Sequence, residues 1–376
     1  MNQYPHKMKV LRLFNSPGST SAPYNQFSLG LMSQTEQTLC TLFPPSEAVD
    51  RSFKYSHAAG SLLGMVKILR KLVIKNDYDV IHIHSGHTGI ALILSLMPNN
   101  FHLLKKVVFT LHTSYNLLSL RNKLLVGLTM FFSSKICPCG KSSRDSIPKF
   151  ICHIFEKKMC MIPNGFNYKN IDNLLINKNS KRLFSANYGV KLICVGALND
   201  NKNQISLLKA IDNLEIIGEL IFLGDGPKRE FLEAYSKNLN SKISVKFKGK
   251  VSRDLAIEHM IEADVFISPS KGEGMPISVL EAMYSECFTI LSDIPPHKEI
   301  SPPKGTSIYV NFSKNKEIVS ALNWIVKPGL NFSDKGIASK KYVLKNYNIA
   351  LMLNKYIDIY NAILSTDYKS LNKNKD

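Results

Sequence analysis

Short runs rich in β-branched and aromatic residues alternate with stretches of helical length from one end of the chain to the other. In the first half the strand candidates are Lys9–Phe14, Val80–His84, Val107–Leu111 and Lys135–Cys139. In the second half they are Leu192–Val195, Leu220–Leu223, Val245–Phe247, Val265–Ser268 and Thr289–Ser292. Segments such as Gln204–Asn213, Lys228–Leu239 and Leu255–Ala263 read as helices between them. This alternation predicts an α/β chain whose parallel sheets are covered on both faces. The pattern breaks once, at Asn164–Ala186, a polar, Asn/Lys-rich stretch opened by Ile162-Pro163-Asn164-Gly165. Its composition suits an interdomain connection. The expected organisation is two doubly wound domains of similar size with a cleft between them, 1–165 and 187–345, joined by a linker over 166–186. A last helix over 346–366 is expected to return to the first domain, and the Lys/Asn-rich tail 367–376 to be disordered.

Composition sharpens this picture in three places. At 376 residues, 44% hydrophobic and 20% charged, the chain is an ordinary soluble protein of two or three domains. Its longest uncharged apolar runs, Gly89–Pro98 and Leu124–Phe132, fall far short of the roughly 20 residues that span a bilayer. Met1–Val10 has no apolar core of a secretory leader, so a cytoplasmic location is expected. The net charge of +19 is concentrated in residues 1–165, which hold 19 Lys and Arg against 7 Asp and Glu. Such an excess suits nucleic acid, anionic lipid or a polyphosphorylated substrate. No zinc-finger, RNA-recognition or basic-zipper pattern accompanies it, so nucleic acid is not expected as a partner. Ser61–Lys75 and Leu117–Lys135 mix basic and aliphatic residues. For each, an anionic membrane surface and a core helix with a cationic solvent face are equally good readings. Seven cysteines, at 40, 137, 139, 152, 160, 194 and 287, match no zinc spacing and read as buried free thiols.

The most informative chemistry lies in residues 272–283, Gly-Glu-Gly-Met-Pro-Ile-Ser-Val-Leu-Glu-Ala-Met, which follow the strand Val265–Ser268. Pro276 suits a first helical turn. That puts Glu273 in the loop before a helix and Glu281 inside it. Backbone N–H groups at such a helix start form a site for a phosphate. The spacing alone would also fit an amphipathic helix with two solvated glutamates. With Gly-Met-Pro-Ile inside it, the segment resembles the Glu-x7-Glu signature of retaining, nucleotide-sugar-dependent glycosyltransferases of family 4 (glycosyl transferases group 1), of the bacterial surface-polysaccharide type. That family has the GT-B fold of two Rossmann-like domains.

Further segments resemble the family in the expected order. Val195-Gly196-Ala197-Leu198 with Lys202-Asn203 matches its phosphate loop, and Leu223-Gly224-Asp225-Gly226-Pro227 a second strand-end turn. Phe247-Lys248-Gly249-Lys250-Val251 matches the wall of the base pocket, and Phe109-Thr110-Leu111-His112-Thr113 the strand whose histidine faces the donor sugar. Asn15-Ser16-Pro17-Gly18-Ser19-Thr20 stands where the family has a glycine-rich acceptor-side loop, with Gly18 as its one glycine. Ala197 stands where the family usually has Arg, leaving one cation fewer for the diphosphate. His82 and His84 share a strand face and suit a metal geometrically. No carboxylate is near in sequence, so a metal is not expected. Asp77-Tyr78-Asp79 precedes its strand, at the wrong end for catalysis.

The resemblance implies transfer of a sugar, from a UDP-linked donor by preference, to a hydroxyl of a lipid-pyrophosphate-linked glycan with retention, as in O-antigen, capsule or exopolysaccharide assembly. Lys202 and the N–H groups near Gly274 and Met275 would stabilise the leaving diphosphate. Glu281 would hold the ribose, Glu273 and His112 would orient the sugar, and Pro276, Ile277, Gly196, Gly249 and Val251 would line the donor. The implied partners are a nucleotide-diphosphate sugar, the lipid-linked acceptor and the anionic inner face of the cytoplasmic membrane, with neither cofactor nor metal. Two rival readings are a nucleotide-sugar epimerase of the same fold and a non-catalytic basic protein that binds lipid or nucleic acid.

Overall fold

A computed structural model describes residues 7–18, 21–177, 189–212, 214–327 and 332–373. The chain divides into two compact units, Met1–Gly165 with Ile349–Asp376, and Phe166–Asn348. The first unit contains, in chain order, β1 (Met8–Phe14), β2 (Thr35–Thr41), β3 (Lys54–His57), α1 (Leu62–Lys75), β4 (Val80–Ile83), α2 (Gly86–Leu96), β5 (Val107–Leu111), α3 (Leu120–Phe132), β6 (Lys135–Pro138), α4 (Lys141–Asp145) and α5 (Lys149–Phe155). Its strands are all parallel, in the order β3-β2-β1-β4-β5-β6. Both faces of β4 and β5 are buried, and that is why these strands are apolar in sequence except at His82 and Thr110. Ser61, Ser85 and Ser119 start α1, α2 and α3 by accepting backbone N–H groups that the first turn leaves unpaired.

The second unit contains α6 (Tyr168–Asn177), β7 (Val190–Val195), α7 (Gln204–Ile211), β8 (Gly218–Leu223), α8 (Arg229–Ser236), β9 (Ile243–Phe247), α9 (Arg253–Glu262), β10 (Val265–Ser268), α10 (Ile277–Tyr284), β11 (Phe288–Ser292), α11 (Pro295–Ile300), β12 (Ser307–Val310), α12 (Asn315–Ile325) and α13 (Phe332–Tyr347). Its sheet is again parallel, in the order β12-β11-β10-β7-β8-β9. The unit closes on itself where the Phe166 N–H donates to the Tyr347 carbonyl at 3.0 Å. The chain then enters α14 (Ile349–Lys373), which belongs to the first unit. There Met352, Tyr356, Tyr360 and Ile363 pack on Val10, Val80 and Val108, covering the sheet face opposite α1 and α2.

Several expectations need correction. Residues 168–177, assigned to a linker, form α6, because Ile171, Leu174 and Leu175 recur at helical spacing and Ile171 is fully buried. Residues 178–186 of that linker lie outside the described residues. The second unit extends to Asn348 and the last helix starts at Ile349, not 346. Helix α14 continues to Lys373 through most of the supposed tail, since neither Gly nor Pro interrupts 349–373; residues 374–376 lie outside the described residues. Strands β2, β3 and β12 were not anticipated. β3 and β12 are short edge strands, and β2 buries the polar Thr35, Gln37, Thr38 and Thr41, so it lacks an apolar signature. All seven cysteines are free, but Cys152 and Cys160 are only half-buried.

Candidate active site

In the second unit the chain runs outward from β7 through β8 and β9, then returns to place β10 on the other side of β7. The loops after β7 and β10 therefore diverge, and doubly wound sheets bind ligands at that point. Glycine turns shape this end of the sheet. The Gly196 N–H donates to the Leu223 carbonyl at 2.9 Å and the Gly224 N–H to the Gly249 carbonyl at 2.8 Å. Gly224 has φ +135°, and a Cβ there would lie 2.0 Å from the Gly196 carbonyl oxygen, so only glycine fits. The Lys202 side chain lies over Gly196, 3.2 Å from where its Cβ would be.

Lys202 Nζ reaches from the β7 loop to the β10 loop and donates to Glu273 Oε1 at 2.5 Å. Ser270 Oγ donates to the same oxygen at 2.7 Å. Behind them, Ser268 Oγ lies 3.4 Å from Ser270 Oγ and 3.3 Å from His297 Nε2. His297 Nδ1 is 3.0 Å from the Ser292 carbonyl, which can only accept, so Nδ1 carries the proton and Nε2 accepts. Burial holds this ring neutral, drawing it down to about 4. Asn201 Nδ2 donates to the Gly272 carbonyl at 2.8 Å and the Lys271 N–H to the Asn201 carbonyl at 2.7 Å, tying the two loops together. Sequence reasoning missed Asn201, Ser270 and His297. The Ser-x-Ser at the strand end before a glycine loop was the available signal for Ser270; His297 carried none.

Helix α10 begins at Ile277, and Pro276 precedes it as an extended cap (φ −79°, ψ 106°). This corrects its expected place in the first turn by one residue. Gly274 and Met275 are buried in the loop before it, beside Glu273. Glu281 is buried inside α10 and its Oε1 is paired with Arg253 Nη2 at the start of α9. Burial raises the Glu281 carboxyl above the usual range, and Arg253 pulls the other way. Arg253, two residues beyond the half-buried Val251, was not anticipated. The Ala197 carbonyl accepts from Gln204 Nε2 at 3.0 Å. A second cation beside the glycine turns is Arg229, whose Nη1 lies 2.8 Å from where a Gly249 Cβ would be, while it pairs with Asp225 at 3.2 Å and Glu233 at 2.7 Å.

In the first unit the corresponding switch lies between β1 and β4. Gly18 follows β1, and its carbonyl accepts from Asn25 Nδ2 at 2.9 Å; residues 19 and 20 lie outside the described residues. His112 follows β5, with Nε2 2.9 Å from His84 Nδ1 and the two rings stacked. Protein packs around the His112 ring although part of the residue meets solvent, and that burial draws it down to about 4. His82 and His84 share one face of the sheet, with ring centroids 4.0 Å apart. The Arg12 guanidinium bridges them, so neither ring is arranged as a metal ligand. Among the described residues no group of three or more His, Cys, Asp or Glu is placed to hold a metal. Asp79 Oδ2 accepts the Lys9 N–H at 2.7 Å, fastening β1 at its start. The structure thus brings Gly196, Lys202, Glu273, Gly274 and Met275 together in the second unit, while His112 and Gly18 stand in the first.

Two doubly wound units with a lysine–glutamate pair at a strand switch define a Rossmann-type ligand-binding protein. Residues 176–336 match the family described as Glycosyl transferases group 1, and residues 43–169 match Glycosyltransferase Family 4. The chain belongs to this glycosyltransferase family. It is 29% identical over 249 residues to the capsular polysaccharide biosynthesis glycosyltransferase CapH of Staphylococcus aureus, covering 61% of this chain and 64% of that protein. The chain therefore spans less than two thirds of that relative's length. It is 26% identical over 318 residues to an Escherichia coli UDP-Gal:alpha-D-GlcNAc-diphosphoundecaprenol alpha-1,3-galactosyltransferase, covering 80% of this chain and 78% of that one. A sucrose-phosphate synthase from Thermosynechococcus elongatus superposes with a TM-score of 0.75 at 14% identity, covering 96% of this chain and 100% of that chain. At that identity the likeness establishes the GT-B fold alone.

Proposed function

We propose that the protein transfers a sugar, with retention, from a nucleotide-diphosphate donor to a hydroxyl of a lipid-diphosphate-linked glycan during assembly of a surface polysaccharide. The observation that carries this reading is the Lys202–Glu273–Ser270 cluster at the β7/β10 switch, in the segment that matches the group 1 family. An ammonium has three N–H donors. Lys202 can therefore keep Glu273 in place and still meet phosphate oxygens, countering the charge that builds on the leaving diphosphate. Glu273, fixed by two hydrogen bonds, orients the donor sugar. Glu281 and Arg253 together form the polar floor beneath the ribose, and His112, in the first unit, offers a hydrogen bond to a sugar hydroxyl. Two relatives, one a capsular polysaccharide glycosyltransferase and one acting on a diphosphoundecaprenol-linked sugar, support the acceptor class.

Donor hydrolysis and transfer to a polyprenyl-diphosphate glycan test this reading across a panel of nucleotide sugars. Glu273→Ala is expected to lower kcat at least ten-fold with little change in donor KM, and Glu281→Ala mainly to weaken donor binding. Folded variants that both keep wild-type turnover and affinity would sink it. The anomeric configuration of the product, read by NMR, decides retention.

The membrane partner is part of the same proposal. Helix α3 leaves Leu120, Leu124, Leu128 and Phe131 on one exposed stripe, with Leu120 86% exposed. Phe150 and Ile154 of α5 are likewise exposed, and Arg121, Lys149 and Lys157 lie among these residues on exposed positions. Helix α2 packs against both α1 and α3, and α1 exposes Lys67, Arg70, Lys71 and Lys75 together with Leu63 and Ile74. Apolar side chains rimmed by cations suit an anionic lipid surface. Among the described residues no helix is long and apolar enough to cross a membrane.

A further inference from the structure

Arg12 lies in the middle of β1 and is fully buried. Among the described residues its hydrogen bonds go to neutral side chains. Nε donates to Gln37 Oε1 at 3.0 Å, and Nη1 is 2.9 Å from His82 Nδ1 and 3.2 Å from His84 Nε2. Nη2 is buried with no hydrogen-bond partner, and the guanidinium carbon sits 5.5 Å from the centroid of the Phe27 ring. A charge buried without a carboxylate is costly, and an apolar residue of similar volume would ordinarily be more stable there. Packing alone therefore does not account for Arg12.

The hydrogen-bond directions supply an account. A guanidinium cannot lose its protons and can only donate. Its two Nη1 hydrogens therefore make His82 Nδ1 and His84 Nε2 acceptors, with the Tyr360 hydroxyl a second neighbour of His82 Nδ1 at 2.6 Å. A neutral imidazole has one N–H, so that of His84 is on Nδ1, and that of His82 is on Nε2, 2.8 Å from Thr110 Oγ1. His84 Nδ1 faces His112 Nε2 at 2.9 Å. The His84 proton occupies that gap, so His112 Nε2 accepts. The reverse arrangement would leave His84 with two acceptor nitrogens and no proton, an imidazolate. Burial keeps His84 and His112 neutral, so the one N–H of His112 is on Nδ1.

We propose that Arg12 is a positioning residue which, through His84, locks His112 in the Nδ1–H tautomer, so that its outward ring nitrogen is always a hydrogen-bond donor and never a base. The ligand chemistry this selects is an acceptor oxygen, such as a sugar hydroxyl or phosphate oxygen, and not a proton to be abstracted. The tautomer is independent of the assigned reaction, whereas its purpose rests on the glycosyl-transfer reading of His112.

Nitrogen-15 imidazole spectra of the full chain test the lock directly, with the His112 signals assigned by their loss in His112→Asn. In the wild type His112 should show a protonated Nδ1 and a bare Nε2; the opposite pattern overturns the proposal, and this measurement needs no variant to fold with an altered core. Arg12→Met should let Nε2–H appear at His112 and lower kcat at least ten-fold with donor KM nearly unchanged, while Arg12→Lys, which keeps a cationic donor, should restore part of both. An unchanged tautomer or unchanged kcat in Arg12→Met overturns it. Full turnover in His112→Asn, with the wild-type tautomer as stated, would instead remove the reading of His112 on which the purpose of the lock depends.

Discussion

His82, His84, His112 and His297 are all held neutral by burial, with His112 and His297 drawn down to about 4. In the unfolded chain each titrates near 6.5. As pH falls from about 6.5 toward 4 the unfolded state takes up protons that the native state refuses. Stability is therefore complete above that window and is lost as pH falls through it, by up to about 3 kcal/mol for His112 and for His297. Urea denaturation at pH 7 and pH 4.5 should show this loss, and His297→Gln, which does not titrate, should reduce it. The same loss in His297→Gln would mean that ring is protonated in the fold. Gly224 gives a second test at this scale. Gly224→Ala should cost about 1–3 kcal/mol because the new Cβ would collide with the Gly196 carbonyl at a φ of +135°. Gly305→Ala, with φ +81° but open space around its Cβ, should cost less. Equal melting temperatures for the two variants would mean the turn yields.

Helices α1 and α3 separate two kinds of surface attraction. Replacing Lys67, Arg70, Lys71 and Lys75 with Gln should weaken binding to anionic vesicles by about 1 kcal/mol for each charge near the surface, and only at low salt. Replacing Leu124 and Phe131 with Glu should weaken it at any ionic strength, because the loss is then one of apolar insertion. Co-sedimentation with acidic and neutral vesicles reads both. Equal binding to the two vesicle types would leave the charge of the first unit unexplained. At this same scale, elements were legible in the sequence where burial is symmetric. β5 and β10 match their expected runs residue for residue, because a strand covered on both faces is apolar at most positions. β2, β3 and β12 were hidden, since an edge strand needs only one neighbour and β2 satisfies its buried polar side chains through contacts distant in sequence, such as Gln37 with Arg12.

For the whole molecule, a nucleoside diphosphate that binds only the folded chain should raise its melting temperature, by about 2.7 kcal/mol of stability at a concentration a hundred times its Kd. Lys202→Met should abolish most of that gain, and a gain that survives intact would place the diphosphate elsewhere. The parallel α/β class, the family resemblance and the loop positions of Glu273, Lys202 and His112 were determined by the sequence itself. They depend on signals carried by neighbours in the chain: apolar runs, glycines at strand ends and a proline before a helix. The partners of those residues were decided by the tertiary structure. That Lys202 meets Glu273, that Arg253 meets Glu281 and that Arg12 stands between His82 and His84 depend on which strands lie side by side and in what register, as when β1 sets Arg12 opposite His82 on β4. Strand order comes from how whole helices and sheets bury their apolar faces together, and a short sequence window holds no record of that choice.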